Sequence, residues 1–461
     1  MQSLFKVNFN WALFTGVIFF IRLAWIDLSW FGFFALCIAV QQVLLLFYSI
    51  GSVMPIRYLL GSFMCLQMLV GPTFAYHGLD EYQHEVYQMK VPQDVYFTYM
   101  LPAISMFIIG LHVSAGKLKG EIINVKAVSG FIDRSGDLPY YFVAIGFLST
   151  IISTYFAAVF GFVFYLMSSF KFIGVFMLLL GTKKLKPMML VLVFGSVISA
   201  SLVNAMFHDL LTWLIMLGAI LAVKYKPPVL LKAGVAFGFI VLALVIQQLK
   251  GAYRQEAWFG SGGGLDAFGK VYDERQANKG FFSKESLAAS NVRINQGFIV
   301  TNILRTVPAR VPHENGRELL QILEAAFLPR FLAPNKLNAG DRTIFMKYTS
   351  MYLHPGTSMA LSSPGDAYIN FGMLGGSIFM FFLALLFSET LNAFHKFSRY
   401  YPVILLFTPM VFYYPMRPDC ELQTSLGHLV KSCFLLFMMI QVWKHRFIGR
   451  RQDAVEKAVA G

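Results

Sequence analysis

Charge is scarce in this chain. Asp, Glu, Lys and Arg make up 13% of its residues, whereas an ordinary soluble domain has about 25%. That deficit excludes a fold kept in solution by a charged surface. Cysteine is rare as well: Cys37, Cys65, Cys420 and Cys433 are the full set. Their spacing fits neither a disulfide framework nor a metal site, and they read as small apolar fillers. No internal repeat is visible. No small-residue cleavage site follows the first apolar run, which Arg22 and Asp27 close, so that run reads as an anchor and not as a cleaved leader.

What is present is apolar. Hydrophobic residues account for 57% of the 461, with 47 Phe and 22 Met. Twelve runs approach the roughly 20 residues that a bilayer needs. They cover residues 11–26, 29–50, 57–76, 95–115, 139–156, 158–180, 187–206, 210–223, 229–249, 366–389, 401–416 and 425–443. The expectation is an all-α polytopic membrane protein with four parts. These are a block of about nine helices (1–249), a polar segment (250–365), a block of three helices (366–446) and a tail (447–461).

The formal net charge is +14. In a soluble chain it would suggest nucleic acid. Here the basic residues mark topology, so nucleic acid is not expected as a partner. With the N-terminus inside and the twelve runs alternating, the short inner loops and the tail carry most of the cations. They hold Lys117, Lys119, Lys126, Arg134, Lys183, Lys184, Lys186, Lys224, Lys226, Lys396, Arg399, Lys444, Arg446, Arg450 and Arg451. The short outer loops carry Lys90 and Arg417. This asymmetry puts both termini in the cytoplasm and the 250–365 segment outside.

The polar segment holds 14 Lys and Arg against nine Asp and Glu. Residues 260–264, GSGGG, read as a flexible hinge. Asn315 and Glu318 have capping-box spacing, followed by Leu319, Leu320, Leu323 and Phe327 on one helical face. A second helix is expected over 291–305, with Ile294, Phe298, Ile303 and Leu304. Both could rest on the membrane surface or belong to a small soluble cap. Residues 264–270, GLDAFGK, have Walker A spacing, but Val271 stands where the hydroxyl residue belongs and no strand precedes the loop.

Several groups are candidates for chemistry. In 327–336, FLPRFLAPNK, two prolines stiffen the chain around Arg330, and Lys336 follows. A guanidinium fork suits bidentate phosphate binding and an ammonium adds a point charge. Arg293 and Arg305 are candidates to join them. Contacts with lipid headgroups, or pairing with Glu318 and Glu324, would explain the same arginines. In 363–376, SPGDAYINFGMLGG, Asp366, Tyr368 and Asn370 are polar where the chain enters the bilayer, and Gly372, Gly375 and Gly376 permit close helix approach. His208 and Asp209, Arg417 and Asp419, and His428 with Lys431 one turn on, lie at or near helix ends on the same side. Polar groups at membrane depth mark function more often than chance, although Lys431 could also snorkel outward.

The ordered set resembles the O-antigen polymerases, the oligosaccharide-repeat-unit polymerases of bacterial surface-polysaccharide assembly. It comprises an Arg near the start of a large external segment (Arg293), Pro329-Arg330 with Pro334 and Lys336, the Gly365–Gly376 element and an outer loop with Arg417 and Asp419. The likeness covers about residues 290–420; before 250 it is one of hydropathy only. His208 and Asp209 stand where many members have an arginine, and Asp366 where many have a glutamate. The resemblance implies a GT-C type glycosyltransferase that moves a growing glycan from one undecaprenyl diphosphate onto another lipid-linked repeat unit. It implies the bacterial inner membrane as location and a chain-length-regulating protein as a further partner. On this view Arg293, Arg330 and Lys336 hold the donor diphosphate and Arg417 assists. Asp366 is the first candidate base, with His428, His354 and Asp209 behind it, and Tyr368 and Asn370 position sugar hydroxyls. No metal-ligand cluster stands out, so no metal or cofactor is expected. A ligase that passes finished glycan to a lipid A core, and a transporter of lipid-linked sugar, are the rival expectations.

Overall fold

The computed structural model describes residues 9–443 except 116–122, 183–186, 261, 279–282, 329–335, 338–339, 356 and 358. Among the described residues there are helices and no strand. Nine helices among them are long and apolar enough to cross a membrane. A tenth crossing arises if one pair bent by 83° counts as one span. The chain therefore reads as a multi-pass membrane protein.

The first block runs α1 (Trp11–Ala24), α2 (Trp30–Ser49), then α3 (Ile56–Cys65) and α4 (Gly71–Phe74), which π turns join into one rod. It continues through α5 (Gln93–Val113), α6 (Val125–Arg134), α7 (Leu138–Tyr155), α8 (Ala157–Ser168) and α9 (Phe170–Leu180) to α10 (Pro187–Asn204), α11 (His208–Tyr225) and α12 (Val229–Phe259). The polar segment forms α13 (Leu265–Asn278), α14 (Lys284–Ile294), α15 (Gly297–Thr306), α16 (Arg317–Phe327) and α17 (Arg342–Thr349). Last come α18 (Ser363–Phe397), a 3-10 stretch Pro402–Phe407 leading into α19 (Thr408–Val411), and α20 (Leu422–Val442).

Of the twelve expected runs, 139–156 crosses only if the bent pair α6 and α7 counts as one span, and two more fall short of a crossing. Residues 11–26 supply only the 14 residues of α1. In 401–416, Pro402 and Pro409 leave a 3-10 stretch and a single α turn, because each proline removes a donor from the ladder. Lys171, within the sixth run, is buried, and its Nζ donates to Thr150 Oγ1 at 3.3 Å.

The polar segment departs from expectation in four places. First, 250 is not a boundary: α12 continues without a break to Phe259. Second, the glycine run is pinned. The Tyr253 hydroxyl donates to the Leu202 carbonyl at 2.8 Å and accepts from the Gly264 amide at 2.9 Å, and residues 265–270 begin helix α13, which rules out a phosphate loop. Third, 291–305 is not one helix. It breaks at Asn295 and Gln296, where the Gln296 amide donates to the Gln67 carbonyl and Asn295 Oδ1 accepts from the Gly297 amide. Beyond the break, every residue of α15 from Gly297 to Ile303 is buried, so it is wedged into the bundle and does not lie on a lipid surface. Fourth, Asn315 does not cap α16. The cap position is Gly316, and Asn315 turns back to the His313 carbonyl. The buried face of α16 is Glu318, Ile322, Ala325 and Ala326, while Leu320 and Phe327 are exposed.

Candidate functional site

The 363–376 element folds around one glycine. Gly372 has φ +67° and ψ −165° inside α18, a conformation open to glycine at little cost. It splits off a short first helix, 363–371, from the long rod. The break leaves carbonyls without helical partners. The Glu314 amide donates to Ile369 O at 3.0 Å and the His313 ring donates to Tyr368 O at 3.1 Å. Asn370 returns the favour: its Oδ1 accepts from the Leu319 amide at 3.1 Å, supplying the cap that α16 lacks. Tyr368 donates its hydroxyl to the Val307 carbonyl at 3.2 Å. Gly376 admits the Tyr99 hydroxyl where a Cβ would come within 2.9 Å of it. Tyr368 and Asn370, expected to position sugar hydroxyls, spend these polar atoms on backbone groups.

Asp366 is 3% exposed, and its Oδ2 accepts from the Leu422 amide at 2.9 Å, at the uncapped N-terminus of α20. It lies within electrostatic range of Glu318 and Glu421, and the three line one small cavity of about 20 Å³. Glu421 accepts from the Gly340 amide and the Thr424 hydroxyl at 2.8 and 2.9 Å. Burial raises its pKa above the usual carboxyl range against those two bonds, with Asp341 adding to the rise. Burial also pushes the Glu318 carboxyl up to about 7.

The loop that carries Glu421 has a second face. On it Arg417 makes a two-pronged ion pair with Asp419, Nη2 to Oδ2 at 3.3 Å and Nε to Oδ1 at 3.4 Å, and lies 5.3 Å over the Tyr414 ring. Burial pushes the Asp419 carboxyl up, but the Arg417 guanidinium, with His208 behind it, pulls it below its ordinary value. His208 is within range of Arg417, Asp419, Asp209 and Lys250. Lys250 in turn feels Arg254, Arg293, Arg417 and Asp419. Arg254 is anchored through Nε to the Ala205 carbonyl at 3.3 Å and stacks 5.0 Å from Trp258. Arg293 reaches α12 from α14, its Nη2 within 3.8 Å of where a Cβ on Gly251 would stand.

Lys250 thus has three further cations, Arg254, Arg293 and Arg417, within range, and the carboxylate it also feels, Asp419, is already engaged by Arg417. Like charges repel more strongly as the local dielectric falls, and polar clusters in a membrane protein persist where they meet a ligand. The arrangement suits a multiply charged anion. Lys250 and Arg254 escape a sequence reading that starts a loop at 250. Their signal is the i, i+4 spacing on a helix whose pattern runs on through Tyr253.

The remaining candidates scatter. The structure describes Lys336, which donates to the Ala325 and Leu328 carbonyls and so closes the C-terminus of α16. Arg330 lies outside the described residues. His354 is exposed, with its ring against Tyr352. Asp209 accepts the Tyr413 hydroxyl. His428 is 2% exposed, donates from Nε2 to the Met410 carbonyl at 2.7 Å and sits 4.9 Å from the Tyr414 ring. Arg305 donates to Asn302 on its own helix. No known protein family, curated protein or solved structure matches this chain.

Proposed function

We propose that this protein is a membrane glycosyltransferase that polymerises undecaprenyl-diphosphate-linked repeat units into a surface polysaccharide. In this reading it lies in a bacterial inner membrane with both termini in the cytoplasm. The two short apolar helices complete twelve passages as partial ones, and 250–365 is external. The observation that carries the proposal is the cation cluster in which Lys250 lies within range of Arg254, Arg293 and Arg417, with Asp419 paired to Arg417, where α12 runs on past its apolar stretch. A lipid diphosphate presents its charge at that height. When the glycosidic bond to it breaks, negative charge grows on the leaving oxygen, and fixed cations in a poorly screened site stabilise it.

Arg293 and Arg417 keep the roles that the resemblance gives them, Lys250 and Arg254 join them, and Arg330 is assigned to the same anion by the resemblance alone. The acceptor hydroxyl meets the opposite face of the loop, where the carboxylates of Asp366, Glu318 and Glu421 converge. His428, behind Tyr414, orients that ring under Arg417.

The test is the lipid-linked intermediate that accumulates when the protein is lost. Single repeat units on undecaprenyl diphosphate support a polymerase. Long lipid-linked polymer points to a ligase, and unchanged polysaccharide removes the reading. A cysteine placed between 270 and 340 should react with a reagent that cannot cross the membrane, applied from outside.

A further inference from the structure

Beside the small carboxylate cavity lies a wider groove of about 260 Å³. Its walls are Glu314, Arg317, Glu318, Gln321, Lys347 and Tyr348, over a floor of Leu337 and Ile344. Glu318 belongs to both spaces. Carboxylate, amide, guanidinium, ammonium and phenol around an apolar floor is the chemistry that holds a sugar ring: polar groups for its hydroxyls and a greasy face for its C–H side. The volume falls short of pockets for drug-sized ligands, which start at about 300 Å³, and suits a single ring.

The polar groups here are not equivalent. Glu314 accepts from Lys347 Nζ at 2.7 Å and from the Tyr348 hydroxyl at 2.8 Å, and these bonds hold its carboxyl below the ordinary range. Asp366 and Glu421 accept backbone amides. Glu318 differs: it is 6% exposed, its Oε2 has no hydrogen-bond partner, and the Tyr348 hydroxyl that lies near its carboxyl is already donated to Glu314. A buried acceptor left unpaired is costly unless a ligand supplies the donor. A sugar ring brings hydroxyl donors to such an acceptor.

We propose that this groove between α16 and α17 is the acceptor-sugar subsite and that Glu318 is the general base of the transfer. The inference rests on the glycosyltransferase reading above and names the acceptor side of that site. The acceptor hydroxyl oxygen forms the new bond to the donor's anomeric carbon. The bond from that carbon to the diphosphate oxygen breaks, and the diphosphate leaves with the electron pair toward Arg417 and Arg293. The hydroxyl proton passes to Glu318 Oε2 and later to water. Groups facing Glu318 are Lys347 and Tyr348 from α17, Glu314 from the preceding turn, Asp366 from α18 and Glu421 before α20. After burial, which dominates, Glu314 and Glu421 raise its pKa while Lys347 and Tyr348 lower it, and the balance leaves it near the pH at which a base works well.

The test uses the full chain in liposomes with lipid-linked repeat units extracted from source cells that lack it. Polymer formation gives kcat/KM across pH, and quenching of tryptophan fluorescence by farnesyl diphosphate reports the donor site. Glu318→Gln is expected to lower kcat/KM by at least about 100-fold, to leave farnesyl diphosphate affinity as in the wild type and to remove the rise in rate through about pH 7. Glu318→Asp should keep that rise with part of the rate. Wild-type turnover and an unchanged pH limb in Glu318→Gln overturn the base. Joint loss of turnover and farnesyl diphosphate binding in both variants means a damaged fold and also overturns it. A wild-type protein that binds farnesyl diphosphate but makes no polymer overturns the glycosyltransferase reading, and this inference with it.

Discussion

The loop from Tyr413 to Glu421 has a cationic face and an acidic one, and the two use charge differently. On the cationic face Lys250 lies within range of Arg254, Arg293 and Arg417, Asp419 is the carboxylate engaged there, and Arg293 is exposed. On the acidic face most polar atoms close backbone gaps: Asp366 at α20, Asn370 at α16, His313 and Glu314 at the Gly372 break. In the proposed reading the contrast separates groups kept for a ligand from groups kept for architecture. Unbalanced charge marks the first kind; a satisfied donor or acceptor marks the second. Glu318 is the exception on the acidic face.

Removing Arg417 should break the comparison most strongly. Arg417→Ala leaves Asp419 and the other cations in place. It should cost about 2 kcal/mol, the pair being partly exposed, and more than about 100-fold in polymer formation. Adding Asp419→Ala should return the melting temperature toward that of the wild type without restoring polymer. Recovery of polymer in the double variant would mean that the ion pair only holds the loop in place. Gly372→Ala forces a side chain into a positive-φ region almost confined to glycine and should cost about 1–3 kcal/mol, seen as a lower melting temperature.

Smaller effects sharpen the contrast. Asn370→Ala removes the α16 cap, with an expected loss of about 1 kcal/mol and unchanged farnesyl diphosphate binding; loss of that binding would mean that the two faces of the loop act as one. Asp366→Asn keeps an oxygen for the Leu422 amide and should lower polymer yield only several-fold, whereas abolition would make Asp366 the base. The smallest effect is on pH dependence. Glu318 has a raised folded value, so between about 4.5 and about 7 the native state holds a proton that the unfolded chain has released. Stability therefore falls as pH rises through that window. Glu318→Gln should flatten the slope in chemical melts at stepped pH.

The apolar runs make the helices legible because length and hydropathy depend on neighbours in sequence. What escapes depends on partners far along the chain. Residues 291–305 spell one amphipathic helix, yet Gln67, Gly71 and Pro72 dictate a break at Asn295. Asn315 and Glu318 have capping-box spacing, but a cap from Asn370, 51 residues from its donor, replaces it. In the site, Arg293 and Arg417 stand out in the sequence, and the fold brings both within range of Lys250. Tyr368 and Asn370 stand out only as polar groups at a membrane edge. Position alone does not tell a sugar ligand from a backbone partner.

Helix α12 has one more consequence. Its 31 residues rise about 1.5 Å each, roughly 46 Å in all, while hydrocarbon fills about 30 Å. In the membrane reading proposed above, the surplus is a stiff post that sets how far above the lipid Lys250 and Arg254 stand. One alanine inserted near Leu244 would swing both by about 100° and lift them a fraction of a headgroup, leaving every residue of the proposed site in the chain but turning two of them away from Arg293 and Arg417.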